Sequence, residues 1–131
     1  MSFERLQDKI REMKNPTVAG LDPKLEYVPS FIMEDKLKQY GQTLRCAAEA
    51  IYEYNVGLID ALCDVVPAVK PQSAFYERFG FEGVEALKRT VDYAKSKGLY
   101  VIMDAKRGDI GSTAEGYSDA YLGSVKVGET E

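Results

Sequence analysis

Three short apolar runs constrain this chain more than any other feature. They are Thr17-Val18-Ala19-Gly20-Leu21, Val65-Val66-Pro67-Ala68-Val69 and Leu99-Tyr100-Val101-Ile102-Met103. Each is too short for a helix and is bounded by proline, glycine or charge, the pattern of a strand buried on both faces. Each also delivers one charged residue at its C-terminal end: Asp22, Lys70 and Asp104 respectively. The segments between them carry apolar residues at helical spacing. Short buried strands joined by helical crossovers predict a parallel α/β sheet with right-handed connections.

The helical segments are read from period and punctuation. Phe3, Leu6, Ile10 and Met13 line one face of a helix that stops at Asn15-Pro16. From Glu34 to Leu62, Leu37, Tyr40, Leu44, Ala47, Ala48, Ile51, Leu58, Ile59 and Leu62 predict one long amphipathic helix. Asn55 interrupts its apolar face, and is expected to be a buried amide bonded to a strand-end loop. Tyr52, Tyr54, Tyr93 and Tyr121 are expected to pack on helices. A loop or short helix covers residues 72–80. Val84, Leu87, Val91 and Ala94 then mark a helix over Phe81–Lys97, with Gly98 as its C′ residue. Ser112-Thr113-Ala114-Glu115 has the spacing of a capping box opening a helix to about Leu122.

Two architectures accommodate this order, a doubly wound open sheet and a (β/α)₈ TIM barrel. The barrel is favoured because barrel enzymes build their sites at the C-terminal ends of the strands, where Asp22, Lys70 and Asp104 fall. A complete barrel takes about 250 residues. The 131 residues here supply three or four β/α units, so the expectation is one partial domain over residues 1–131, the N-terminal half of a barrel. No internal repeat, low-complexity tract or linker divides it.

Composition removes several chemistries. The chain has no histidine, hence no imidazole base, no Ser-His or Cys-His pair and no histidine metal ligand. Catalysis must rest on Lys, Asp, Glu, Tyr or Cys. With 17 basic and 21 acidic residues scattered along the chain there is no basic stripe for nucleic acid. Cys46 and Cys63 lie on one predicted helix roughly 25 Å apart, too far to pair. Without a disulfide framework, a signal-like start or an apolar run of about 18 residues, a cytoplasmic, non-membrane protein is expected.

The richest segment is Asp104-Ala105-Lys106-Arg107-Gly108-Asp109. Asp104 and Lys106 flank one residue, so extended backbone would project both side chains to the same side. With Asp109, which follows after a turn at Gly108, and Lys70 from the neighbouring strand they form an alternating Lys-Asp-Lys-Asp row in which opposite charges keep one another ionised. Such a row holds the Lys106 ammonium as a fixed proton donor. D-x-K-x-x-D is also a pattern that solvated loop charges produce, and strand-tip placement is what lifts it above that reading. Gly108-Asp109-Ile110-Gly111-Ser112 precedes a helix but lacks both the G-x-G-x-x-G and the P-loop patterns.

Gly20-Leu21-Asp22-Pro23, Val69-Lys70-Pro71-Gln72 with Phe75-Tyr76-Glu77, and Asp104 through Glu115 together resemble orotidine 5′-monophosphate decarboxylases, in particular their longer bacterial branch. The resemblance covers essentially the whole chain in order. It implies loss of CO₂ from C6 of the orotate ring, without metal or cofactor, to give UMP in pyrimidine synthesis. It further implies a homodimer with shared active sites. Asp104 would lie against the departing carboxylate, and Lys106 would protonate C6. Lys70 would hold the network and a ribose hydroxyl, and Asp22 would bind ribose. Asp109, Ile110 and Thr113 would reach into the partner subunit's site. The family's phosphate-gripping residues belong to later strands, so residues 1–131 alone are expected to be inactive.

Two other readings remain at this point. Metal-dependent sugar-phosphate synthases and decarboxylases share the barrel and a similar D-x-K-x-x-D, although Ile110, Thr113 and Val-Lys-Pro around Lys70 argue against them. A non-catalytic half-barrel that assembles through its open sheet edges is the third.

Overall fold

The computed structural model describes residues 2–128. Its centre is a three-stranded sheet in the order β1 (Val18–Leu21), β2 (Ala68–Pro71), β3 (Tyr100–Val101). Both pairings are parallel, with Gly20 opposite Lys70, Leu21 opposite Pro71 and Val69 opposite Val101. Around it run α1 (Ser2–Met13), α2 (Ser30–Tyr40), α3 (Leu44–Leu62), α4 (Ala74–Glu77), α5 (Gly80–Ser96) and α6 (Gly111–Tyr121). This is the alternating β/α order of a partial barrel, as the strand and helix pattern predicted.

The period-2 rule sorts the sheet residues into two faces. Leu21 and Val69 point to the helices and, with Ile59, Val66, Ala94 and Leu99, make the core between the sheet and α3 and α5. Their neighbours Gly20 and Lys70 point the other way, onto the face that lines the interior in a closed barrel. A second cluster around Ile51, Tyr76, Phe79 and Leu87 joins α2, α3, α4 and α5 beneath the C-terminal strand ends. Ile51 and Ile59 are wholly buried, and each contributes about 1.5–3 kcal/mol by leaving water.

The third strand is Tyr100–Val101, two residues where five were predicted, and three further elements depart from the sequence expectation. The predicted helix over Glu34–Leu62 is two helices. Gly41 ends α2 with φ 64° and its N–H bonded to Leu37 O, while Thr43 caps α3, its side chain accepting from Cys46 N. Leu37, Tyr40 and Leu44, which carried the apolar period across this break, are exposed, so the period there did not mark one continuous buried face. Thr43→Ala should therefore cost about 1 kcal/mol in urea unfolding, the usual effect of losing such a cap. No measurable loss would mean that packing alone fixes the start of α3.

The second strand starts three residues later than predicted. Val65 and Val66 instead close the end of α3, both donating to Leu62 O. Half-exposed Val65 shows that an apolar pair can finish a helix as readily as begin a strand. At the third departure, Ser112 and Glu115 do not form a capping box. The cap of α6 is Ile110, with no side-chain bond, because Gly111 turns into the helix at φ 56° and leaves Ser112 inside the first turn.

Gly98 does stand as the C′ residue of α5, at φ 79°. Cys46 and Cys63 lie near the two ends of α3, and both are free. Among the described residues no helix is long and apolar enough to cross a membrane.

Candidate functional site

Parallel pairing brings the charged strand tips together. Beyond the last ladder residues, Gln72 bridges to Asp104, and Ile102 N donates to Val69 O at 2.9 Å and Asp104 N to Pro71 O at 3.1 Å. The Asp104 carboxylate is thereby aimed along the same face as Lys70. Its Oδ2 accepts from Lys70 Nζ at 3.3 Å and from Gln72 Nε2 at 3.1 Å, and its Oδ1 from Lys106 Nζ at 2.5 Å. Both carboxylate oxygens are thus bound to ammonium groups.

The route by which Lys106 reaches Asp104 differs from the extended backbone expected. Lys106 sits at φ 50°, a left-handed conformation that costs a non-glycine residue on the order of 1–3 kcal/mol and persists only where its surroundings dictate it. The bonds on either side do so. Ser73 N donates to Asp104 O, Ser73 Oγ to Ala105 O, and Arg107 both to Ala105 O and to the Glu77 carboxylate. The chain is pinned before and after Lys106, and the side chain turns back onto Asp104. The Lys106 side chain is nonetheless 69% exposed, against 23% for Asp104, so the ammonium is held at one end and open to an incoming molecule.

The Lys106 hydrogen bond, then that of Lys70, holds the Asp104 carboxyl below its ordinary value of 3.8. A carboxyl depressed in this way stabilises the fold above its ordinary value, and that contribution disappears as pH falls through the depressed value. Asp104→Asn should lose less stability than the parent as pH falls below about 4, measured as urea midpoints. Parallel acid curves for the two proteins would count against this pairing.

Asp109 does not join the row. It is exposed, and its Oδ1 accepts from the N–H of Ile110. Ile110 is 86% exposed, and Thr113 is exposed on the first turn of α6. The four-member row read from the sequence is therefore three members, Lys70–Asp104–Lys106, with Asp109 and Ile110 exposed on the loop and Thr113 exposed on α6. A cleft of about 390 Å³ between this loop and α6 is lined by Lys106, Asp109 and Tyr117. Asp22 stands exposed at the tip of β1 beside a smaller cavity of about 230 Å³, which it lines with Tyr27, Tyr54 and Asn55.

Three groups of residues at the site escaped the sequence reading in whole or in part. Gln72 is a ligand of Asp104, and the Arg107–Glu77 pair braces the loop; both lie in motifs noticed for their family likeness, but no spacing rule singles them out. The third is a buried network. Asn55 Nδ2 donates to Tyr76 Oη at 2.9 Å and to Thr90 Oγ1 at 3.3 Å, and Tyr76 Oη donates to Leu21 O at 3.0 Å. Asn55 is buried as expected, but its amide bonds side chains of α4 and α5 and not a strand-end loop; it is Tyr76 that bonds the end of β1.

Residues 15–125 match the sequence profile of the orotidine 5′-phosphate decarboxylase / HUMPS family. Orotidine 5′-phosphate decarboxylase of Caldicellulosiruptor saccharolyticus is 38% identical over 124 residues, 95% of this chain and 41% of that protein. That of Rhodopirellula baltica is 42% identical over 110 residues, 84% of this chain and 35% of that protein. The solved structure of Leishmania donovani OMP decarboxylase superimposes with a TM-score of 0.67 at 29% identity, over 92% of this chain and 40% of that one. The chain spans about two fifths of the length of the curated relatives it matches. Since the matched segment takes in all three strands, Lys70, Asp104, Lys106 and the loop into α6, the chain belongs to the orotidine 5′-phosphate decarboxylase / HUMPS family.

Proposed function

We propose that residues 1–131 are the N-terminal part of one TIM-barrel domain that converts orotidine 5′-monophosphate to UMP. The observation that carries this reading is the carboxylate of Asp104 gripped on both oxygens by lysines, with Lys106 exposed beyond it. In this scheme the bond from C6 to the carboxylate carbon breaks and CO₂ leaves. The electron pair stays on C6, and an N–H proton of Lys106 moves to C6. Neutral Lys106 regains its proton from solvent. A carbanion with no adjacent electron sink needs charge fixed in advance and a donor within reach, and Lys106 supplies both while Asp104 and Lys70 hold it in register.

Asp104 lies against the departing carboxylate, Lys70 also holds a ribose hydroxyl, and Asp22 binds ribose from the tip of β1. Asp109, Ile110 and Thr113 serve the site of a second subunit. The exposure of all three supports that assignment and a homodimer with shared sites. No step calls for a metal or cofactor, since the lysines provide the positive charge. Two unpaired cysteines support a cytoplasmic setting.

The phosphate grip belongs to strands beyond these residues, and remote binding energy of that kind organises the reacting centre. The test is turnover of orotidine 5′-monophosphate, with and without EDTA, by the complete gene product and by residues 1–131. The expected result is EDTA-resistant decarboxylation by the former and none by the latter. Loss of activity in EDTA would transfer the chain to the metal-dependent branch.

A further inference from the structure

The one-turn helix α4 touches every strand end that carries a candidate site residue. It follows β2, which carries Lys70, after only Gln72 and its N-cap Ser73. On one side, wholly buried Tyr76 donates to Leu21 O, the peptide next to Asp22. On the other, Ser73 bonds Asp104 and Ala105, and Glu77 binds Arg107, the neighbour of Lys106. A four-residue helix has little stability of its own. Its place is set by these bonds and by its packing against α5.

We propose that α4 is the device that sets Asp22 and Lys106 at fixed positions relative to Lys70 and Asp104, with Tyr76 and Glu77 as positioning residues acting at opposite ends. Tyr76 reaches β1, so it governs the group assigned to ribose. Glu77 reaches the β3–α6 loop, so it governs the proton donor and helps maintain the left-handed turn at Lys106. Neither touches substrate in this scheme. The roles given to Asp22 and Lys106 rest on the decarboxylase reading, whereas the mechanical role of α4 does not.

Two readouts separate these layers. Backbone amide exchange in the complete gene product reports on position, and steady-state kinetics report on use. Tyr76→Phe keeps the packed ring and removes only the hydroxyl. It should speed exchange in residues 19–24 and raise KM roughly five- to tenfold with kcat nearly unchanged, the effect of one hydrogen bond on a binding group. Glu77→Gln should speed exchange in residues 104–110 and lower kcat roughly five- to tenfold with little change in KM.

Thr90→Val is the control, because it removes the Asn55 bond farthest from Leu21. It should lower thermal stability while leaving exchange at residues 19–24 and KM as they were. Unchanged exchange in Tyr76→Phe and Glu77→Gln would overturn the proposal, as would the same local loosening in Thr90→Val. Local loosening at both ends in the two variants, with the control silent, supports α4 as the positioning device even if turnover is absent. In that case it is the decarboxylase reading that fails.

Discussion

Lys106→Met in the complete gene product should reduce kcat for orotidine 5′-monophosphate by at least about 10²–10⁴-fold, the range for loss of a positioned general acid. The methionine keeps the unbranched stem and removes the ammonium. Two losses then coincide. C6 has no donor in reach, and Asp104 Oδ1 has lost its partner at 2.5 Å, leaving a carboxylate beside a second developing negative charge. KM should change far less, because the proposed ribose and phosphate contacts lie on other residues. Lys70→Met offers the contrast. Its ammonium is farther from Asp104, at 3.3 Å, and also serves ribose in this scheme, so KM should rise as kcat falls. A Lys106→Met enzyme with near-parental kcat would remove Lys106 as the donor.

The parts of this arrangement that were legible in the sequence are those governed by period and strand-tip chemistry. Alternation of short apolar runs with helical spacing predicted a parallel sheet, and parallel pairing alone puts Lys70 beside Asp104. What was not legible depends on the path of the loop. Extended backbone was the natural expectation for Asp104-Ala105-Lys106, yet Lys106 lies at φ 50° because contacts from α4 and Arg107 on either side dictate it. Residues 30 to 32 positions away in sequence decide that turn, and no local pattern records them. The same reason hid Tyr76, whose bond to Leu21 spans 55 positions.

The helix break at residues 41–43 is a different case. Gly41 followed by Thr43 is a C′ glycine and an N-cap residue in sequence, and the signal was present but outweighed by an apolar period that runs on through both helices. Asp109 illustrates a third limit. Spacing counted it into the charge row, whereas its Oδ1 accepts from the Ile110 N–H and it lines the cleft beside Lys106 without joining the row. A charge pattern read along one chain cannot distinguish partners within a subunit from partners across an interface.

The second large effect is expected at Gly83, which no functional argument touches. An added Cβ there would lie 1.9 Å from the Tyr76 carbonyl oxygen and 2.9 Å from Phe79 Cβ. The carbonyl is backbone, so it cannot swing aside as a flexible side chain would; either α5 or α4 must shift as a unit. Overpacking a filled core typically costs about 1–3 kcal/mol, and a clash with backbone belongs at the top of that range or above it. Gly83→Ala should therefore lower stability by about 3 kcal/mol in urea unfolding. Gly57→Ala is the matched comparison, since Gly57 is exposed within α3 with no atom in reach of its added Cβ. That change relieves only the poor helical preference of glycine and should raise stability by up to about 1 kcal/mol. Opposite signs at two helical glycines would establish that the α4–α5 contact is steric, and hence that the seat of Tyr76 and Glu77 is fixed by the absence of a single methyl group. Equal effects would place the restraint on α4 elsewhere, in the hydrogen bonds that tie it to the ends of β1 and β3.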